Sequence, residues 1–133
     1  MGGGKSALGK GGGGSFAARV NALQVPSKPA TFSDSRVSPL AYDKSKLMDV
    51  AFGGGWREDK NFVGLQDVKI SDIISVQPYV QANKLLSFKH PIDTTSVGVL
   101  QIGDKFYLGD GNHRIVAALL SGKKKVKVRV YRE

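Results

Sequence analysis

Strict alternation marks residues 126–131 (VKVRVY): Val126, Val128 and Val130 share one face, and Lys127, Arg129 and Tyr131 share the other. That is the period of a strand with one buried side. Just upstream the period changes. In residues 112–121 (NHRIVAALLS), Ile115, Ala118 and Leu119 fall on one helical face, and Gly122 stands where a helix C-cap belongs. Residues 97–102 (VGVLQI) and 106–108 (FYL) flank Gly103-Asp104, a hairpin turn signal. Ala82, Leu85, Leu86 and Lys89 recur at helical spacing, which predicts a helix over 80–89 that Pro91 stops. Residues 68–76 (VKISDIISV) are rich in β-branched side chains and read as a strand. Leu47, Met48 and Ala51 predict a helix over 42–52, ended by Gly53-Gly54-Gly55, and 56–65 reads as a short extended or hairpin piece.

From residue 68 the order is strand, helix, hairpin, helix, strand. This predicts a single α+β domain over 41–133, a mixed sheet with helices. Residues 1–40 lack such periodicity. Eight of the seventeen glycines fall in the first fourteen residues, and Pro26, Pro29 and Pro39 interrupt the remainder of the segment. Glycine loses the most backbone entropy on ordering, so 1–40 reads as a flexible Gly/Pro-rich basic arm. Its one apolar patch, 15–25 (SFAARVNALQV), has room for a turn or two of amphipathic helix against a partner. The GGGKS of residues 2–6 lacks the upstream glycine and strand of a phosphate-binding P-loop.

Charge sharpens this division. Of the formal net charge of +9, residues 1–40 carry five basic and one acidic side chain, 41–122 carry nine of each, and 123–133 carry six and one. The middle is neutral and both ends are basic, which suits a polyanionic partner, either DNA or a nucleotide. No apolar run approaches the roughly 20 residues of a membrane span, so no membrane partner is expected. The absence of cysteine excludes disulfides, thiolate metal sites and cysteine nucleophiles within this sequence.

Candidate chemistry concentrates where the 106–108 strand meets the 112–121 helix, through Gly109-Asp110-Gly111-Asn112-His113-Arg114. The first N–H groups of a helix have no intrahelical partner, and the helix dipole adds about half a positive charge there. Gly111, Asn112, His113 and Arg114 are therefore expected to cradle a phosphate, with the flanking glycines giving the backbone close access. An ordinary capped helix start explains the same residues, with Asp110 or Asn112 as the cap. His113 is the candidate general acid or base, and Asp110 is a candidate catalytic carboxylate or a ligand for Mg²⁺; no cluster of metal-ligand spacing accompanies it. Lys123, Lys124, Lys125, Lys127 and Arg129 form a basic run beside this turn. They read either as a nucleic-acid track leading to Arg114 or as charge protecting an edge strand.

The stretch 109–119 (GDGNHRIVAAL), with Gly122 and the closing strand, resembles the signature of the ParB/sulfiredoxin superfamily, and D-G-N-H-R matches the D-G-x-H-R of phage-type ParB-like nuclease domains. The resemblance covers about 68–131, where residues 73–80 (IISVQPYV) are similar to the opening strand and turn of such domains. It implies a small ParB/sulfiredoxin-like fold and places His113 and Arg114 on the family's phosphate contacts. The sulfiredoxin cysteine falls at Asn112, so sulfinic-acid repair is not expected. What the resemblance implies is a nucleic-acid- or nucleotide-binding domain of phage or mobile-element origin, in a host cytoplasm or a phage particle, with hydrolysis of phosphodiester or NTP bonds left open. The alternative is a non-catalytic virion or assembly protein that keeps the fold and uses residues 1–40 to contact DNA or neighbouring subunits.

Overall fold

The alternating segment forms β8 (Lys125–Tyr131), and its three valines are buried while Lys125 and Lys127 are exposed. A computed structural model describes residues 15–27, 32–53 and 55–133. Within them the order is α1 (Phe16–Asn21), β1 (Ser35–Val37), β2 (Ala41–Tyr42), β3 (Phe62–Lys69), β4 (Ile73–Ser75), β5 (Tyr79–Gln81), α2 (Ala82–Leu86), β6 (Gly98–Ile102), β7 (Lys105–Leu108), α3 (Asn112–Leu120) and β8. The fold is α+β. A six-stranded mixed sheet runs β2-β4-β7-β6-β8-β3, and β1 pairs with β5 in a separate two-stranded ladder.

Periodicity maps onto this architecture best near the candidate site. β6 and β7 pair antiparallel around Gly103-Asp104, and β6 runs parallel to β8. α3 ends with the Gly122 N–H donating to Leu119 O at 3.0 Å and the Lys123 N–H to Ala118 O at 3.1 Å, the paired bonds of a Schellman cap.

Elsewhere the expectations need correction. Residues 68–76 are not one strand: β3 ends at Lys69, a 3₁₀ turn covers Ile70–Asp72, and β4 follows. The 42–52 helix is instead β2, a 3₁₀ turn at Lys44–Lys46 and a π-turn at Met48–Phe52. The predicted 80–89 helix is split between β5 and the five-residue α2. The boundary at residue 40 also moves. Val20 of α1 is fully buried in the main core, the Arg19 guanidinium donates to Leu120 O at 2.9 Å, and β1 pairs with β5, so these parts of the expected arm belong to the domain. Its glycine-rich residues 1–14, and residues 28–31, lie outside the described residues.

The sheet carries a core on each face. Val99, Leu108, Val126, Val128 and Val130 pack with α1, α2 and α3, through Val20, Leu85, Ile115 and Leu120. On the opposite face Leu100 and Tyr131 pack with Val50 and Trp56. The connection from β3 to β4 requires curvature. Four peptide steps separate Lys69 from Ile73 and reach at most about 14 Å, whereas four inter-strand spacings in a flat sheet total about 19 Å. The sheet therefore curls, bringing its β2 and β3 edges toward one another around an open seam.

Candidate anion site at the start of the third helix

α3 starts at a sharp turn out of β7. Gly111 is its N-cap with φ of 91°, a left-handed conformation that other residues adopt at a cost, and no side chain caps the helix. A Cβ on Gly111 would stand 3.0 Å from the Val97 methyls, and one on Gly109 would stand 2.9 Å from Val50 O. Both glycines therefore serve close packing of this turn against its own protein, rather than the approach of a ligand.

The uncapped helix start opens on a cavity of about 360 Å³ lined by Asp110, Gly111 and Arg114, together with Arg57 and Arg129. Three guanidinium groups thus meet a single carboxylate. Each lies on an aromatic ring: Arg57 is 4.5 Å from the Trp56 centroid, Arg129 is 4.3 Å from that of Phe62, and Arg114 is 5.2 Å from that of Phe88. Such stacking holds the planar groups while leaving N–H edges free for an anion. Additional bonds orient two of them. Arg129 Nε donates to Tyr131 Oη at 3.2 Å, and Arg114 Nη1 donates to Asp93 O at 3.1 Å. Bonds from the Thr95 backbone and hydroxyl hold the Asp93 carboxyl below its usual range, with a smaller contribution from Arg114. Trp56, under Arg57, is itself fixed by donating Nε1–H to Val50 O at 3.0 Å.

The residues expected in one cradle separate into three places. Asp110, Gly111 and Arg114 line the arginine cavity. Asp110 Oδ1 accepts from the Gly111 N–H at 2.9 Å, so it braces the turn without capping α3. Asn112 does not line that cavity; it is buried and accepts from the Ser75 hydroxyl, tying the helix start to β4. His113 turns the other way, into a separate cavity of about 350 Å³ with Tyr79 and Lys84. Its Nε2 accepts from the Gln81 N–H at 2.9 Å. Burial is the main cause that pushes the His113 pKa down, aided by Lys84 and opposed by Asp34, so the ring is held neutral as that acceptor.

Of the basic run, Lys125, Lys127 and Arg129 occupy one face of β8, extending about 14 Å along the strand to the arginine cavity. Lys127 is paired with Asp67 at 3.7 Å. Lys123 and Lys124 lie in the turn before β8. β8 has β6 on one side and β3 on the other, so protection of a sheet edge does not account for its charges. Local motifs do not reveal Arg57, because it comes from a distant segment; its only signal is that it follows the single tryptophan. Among the described residues no group of three or more His, Cys, Asp or Glu is placed to hold a metal ion, and no helix is long and apolar enough to cross a membrane. Comparison of the chain with protein-family models, with curated proteins and with solved structures finds no match to any of them.

Proposed function

We propose that this chain is a ParB/sulfiredoxin-like domain that binds the phosphate of a nucleic acid or nucleotide in the arginine cavity, and that it binds rather than cleaves. The observation that carries this reading is the convergence of Arg57, Arg114 and Arg129, each stacked on an aromatic ring, at an uncapped helix start. Three cations and the helix dipole outweigh Asp110, leaving a positive site whose geometry suits bidentate contacts to phosphate oxygens. The Lys125–Lys127–Arg129 row supports a longer polyanion, with phosphates following β8 into the cavity. Binding without cleavage is favoured by His113, whose Nε2 is engaged by a backbone N–H and which lines a different cavity from Arg114.

The test is a binding and cleavage assay on labelled single- and double-stranded DNA and on a nucleoside triphosphate, with Mg²⁺ or EDTA, across a salt series. Arg114→Ala is expected to weaken binding by about 1.5 kcal/mol or more, the value of a charge-assisted contact. Replacing Lys125 and Lys127 with Gln should reduce the log–log salt slope by up to about 0.9 for each phosphate that is no longer neutralised. Affinity unchanged in Arg57→Ala, Arg114→Ala and Arg129→Ala would remove the cavity from consideration. Cleavage abolished by Arg114→Ala would replace binding with catalysis at the same site.

A further inference from the structure

The seam of the curled sheet holds a second cavity, of about 540 Å³, that shares no lining residue with the arginine site. Its wall comes from Pro39, Leu40 and Ala41 at the β2 edge, Ile70 and Ser71 in the β3–β4 turn, and Leu119 of α3. The Ile70 N–H donates to Lys124 O at 2.9 Å, which ties the β3–β4 turn to the turn before β8 beside the cavity. A cavity of this volume with a mostly aliphatic wall is of the size and character that take small molecules.

Among the described residues Lys69, Lys124 and Lys125 are the only charged groups of its lining, and no carboxylate lines it. Lys69 and Lys125 stand directly opposite each other in the β3–β8 register. Like charges at such a position destabilise a sheet. The neighbouring pair on the same face, Asp67 and Lys127, is of opposite sign and forms an ion pair. Among the described residues Lys69, Lys124 and Lys125 take part in none of the ion pairs formed. The ladder thus changes from matched charges to facing lysines at the rim of an apolar cavity, where an anion would reduce their mutual repulsion.

We propose that the seam cavity binds a small amphipathic anion, an acyl or aryl carboxylate whose apolar body lies against Leu40, Ile70 and Leu119 and whose head meets Lys69, Lys124 and Lys125. Aliphatic walls select the body, and the three ammonium groups select the sign of the head. The lysines are solvent-exposed, which matches a head group at the mouth rather than the base of the cavity.

The experiment is an amide-resolved NMR titration of the full chain with sodium octanoate, octylammonium chloride and sodium acetate in parallel. Octanoate is expected to give saturable shifts at Ile70, Ser71 and Lys125, with octylammonium and acetate leaving these amides in place. Ser71→Trp, which puts an indole at an exposed position of the lining, should abolish the shifts, and Lys69→Glu should weaken octanoate about tenfold. Retention of the native amide spectrum in each variant separates loss of the site from loss of the fold. Equal binding of octylammonium, or octanoate shifts that persist in Ser71→Trp, would overturn the proposal, as would the absence of saturable shifts in the wild type. Ser71 and Lys69 do not line the arginine cavity, and Ser71 lies outside the Lys125–Lys127–Arg129 row, so phosphate affinity in Ser71→Trp is read separately from octanoate binding and the two sites can fail independently.

Discussion

Gly109→Ala isolates a contact on which both the fold and the arginine cavity depend. The added methyl would stand 2.9 Å from Val50 O and 3.2 Å from both Val50 Cγ1 and Arg57 Nη2. The arginine tip can move aside, but the carbonyl belongs to the backbone and also accepts the Trp56 indole N–H. Relief therefore requires the 50–57 segment to lift from the β7–α3 turn, taking Trp56 and Arg57 with it. Overpacking of this kind costs about 1–3 kcal/mol, or about 4–11 °C in Tm for a domain of this size. Trp56 is the chain's single tryptophan and is buried, so urea denaturation followed by its fluorescence reads the affected segment directly. Gly55→Ala serves as the control from the same segment, since a Cβ there meets nothing nearer than Glu58 Oε2 at 4.0 Å. We expect Gly109→Ala to lower the denaturation midpoint and weaken phosphate binding together, with Gly55→Ala close to wild type. If both variants unfold at the wild-type midpoint, the close approach does not constrain this turn and the reasoning is refuted.

Two other outcomes rest on the packing and on His113. Val20→Ala should cost about 2 kcal/mol in denaturant unfolding, because it deletes buried methyls that join α1 to the main core; a change under about 0.5 kcal/mol would return α1 to the expected arm. His113 has a folded pKa below its ordinary value, so the unfolded chain binds its proton first as pH falls. Its contribution is complete above about pH 6.5 and is lost as pH drops through that ordinary value toward the folded one, so the urea midpoint should fall between about pH 7.5 and 5.5 by less in His113→Gln than in wild type. An identical pH dependence in the two proteins would contradict the neutral acceptor role.

What can be read from the sequence depends on the range of the interactions involved. The β6–β7 hairpin, α3 and β8 are specified by neighbours a few residues apart, through a turn dipeptide, a 3.6-residue period and a 2-residue period, and their expected bounds agree with the structure to within a residue or so. The run 68–76 looks continuous because both halves are β-branched, yet the curl of the sheet sends β3 and β4 to separated positions, and no local pattern encodes that. Asn112 shows the same limit at the site. At a helix start it resembles a ligand donor, whereas its partner is Ser75, 37 residues earlier and buried with it. The apolar patch at 15–25 reads as a short helix seeking a partner, and that partner is the domain itself. Arg57 enters through tertiary packing alone, so one of the cavity's three guanidinium groups has no counterpart in local motifs.

The position of β8 has a consequence for how the protein comes into being. It is inserted between β6 and β3, strands synthesised well before it, with Tyr131 matched to Phe62 across the ladder. Until residues 125–131 emerge from the ribosome, the facing edges of β3 and β6 have no partner, and the valines that complete the main core are missing. A nascent chain halted before Lys125 therefore exposes two adhesive strand edges at once, an aggregation hazard rather than a partly finished domain. Completion of the six-stranded sheet waits on one seven-residue strand, so it follows synthesis of that strand instead of accompanying the chain as it grows.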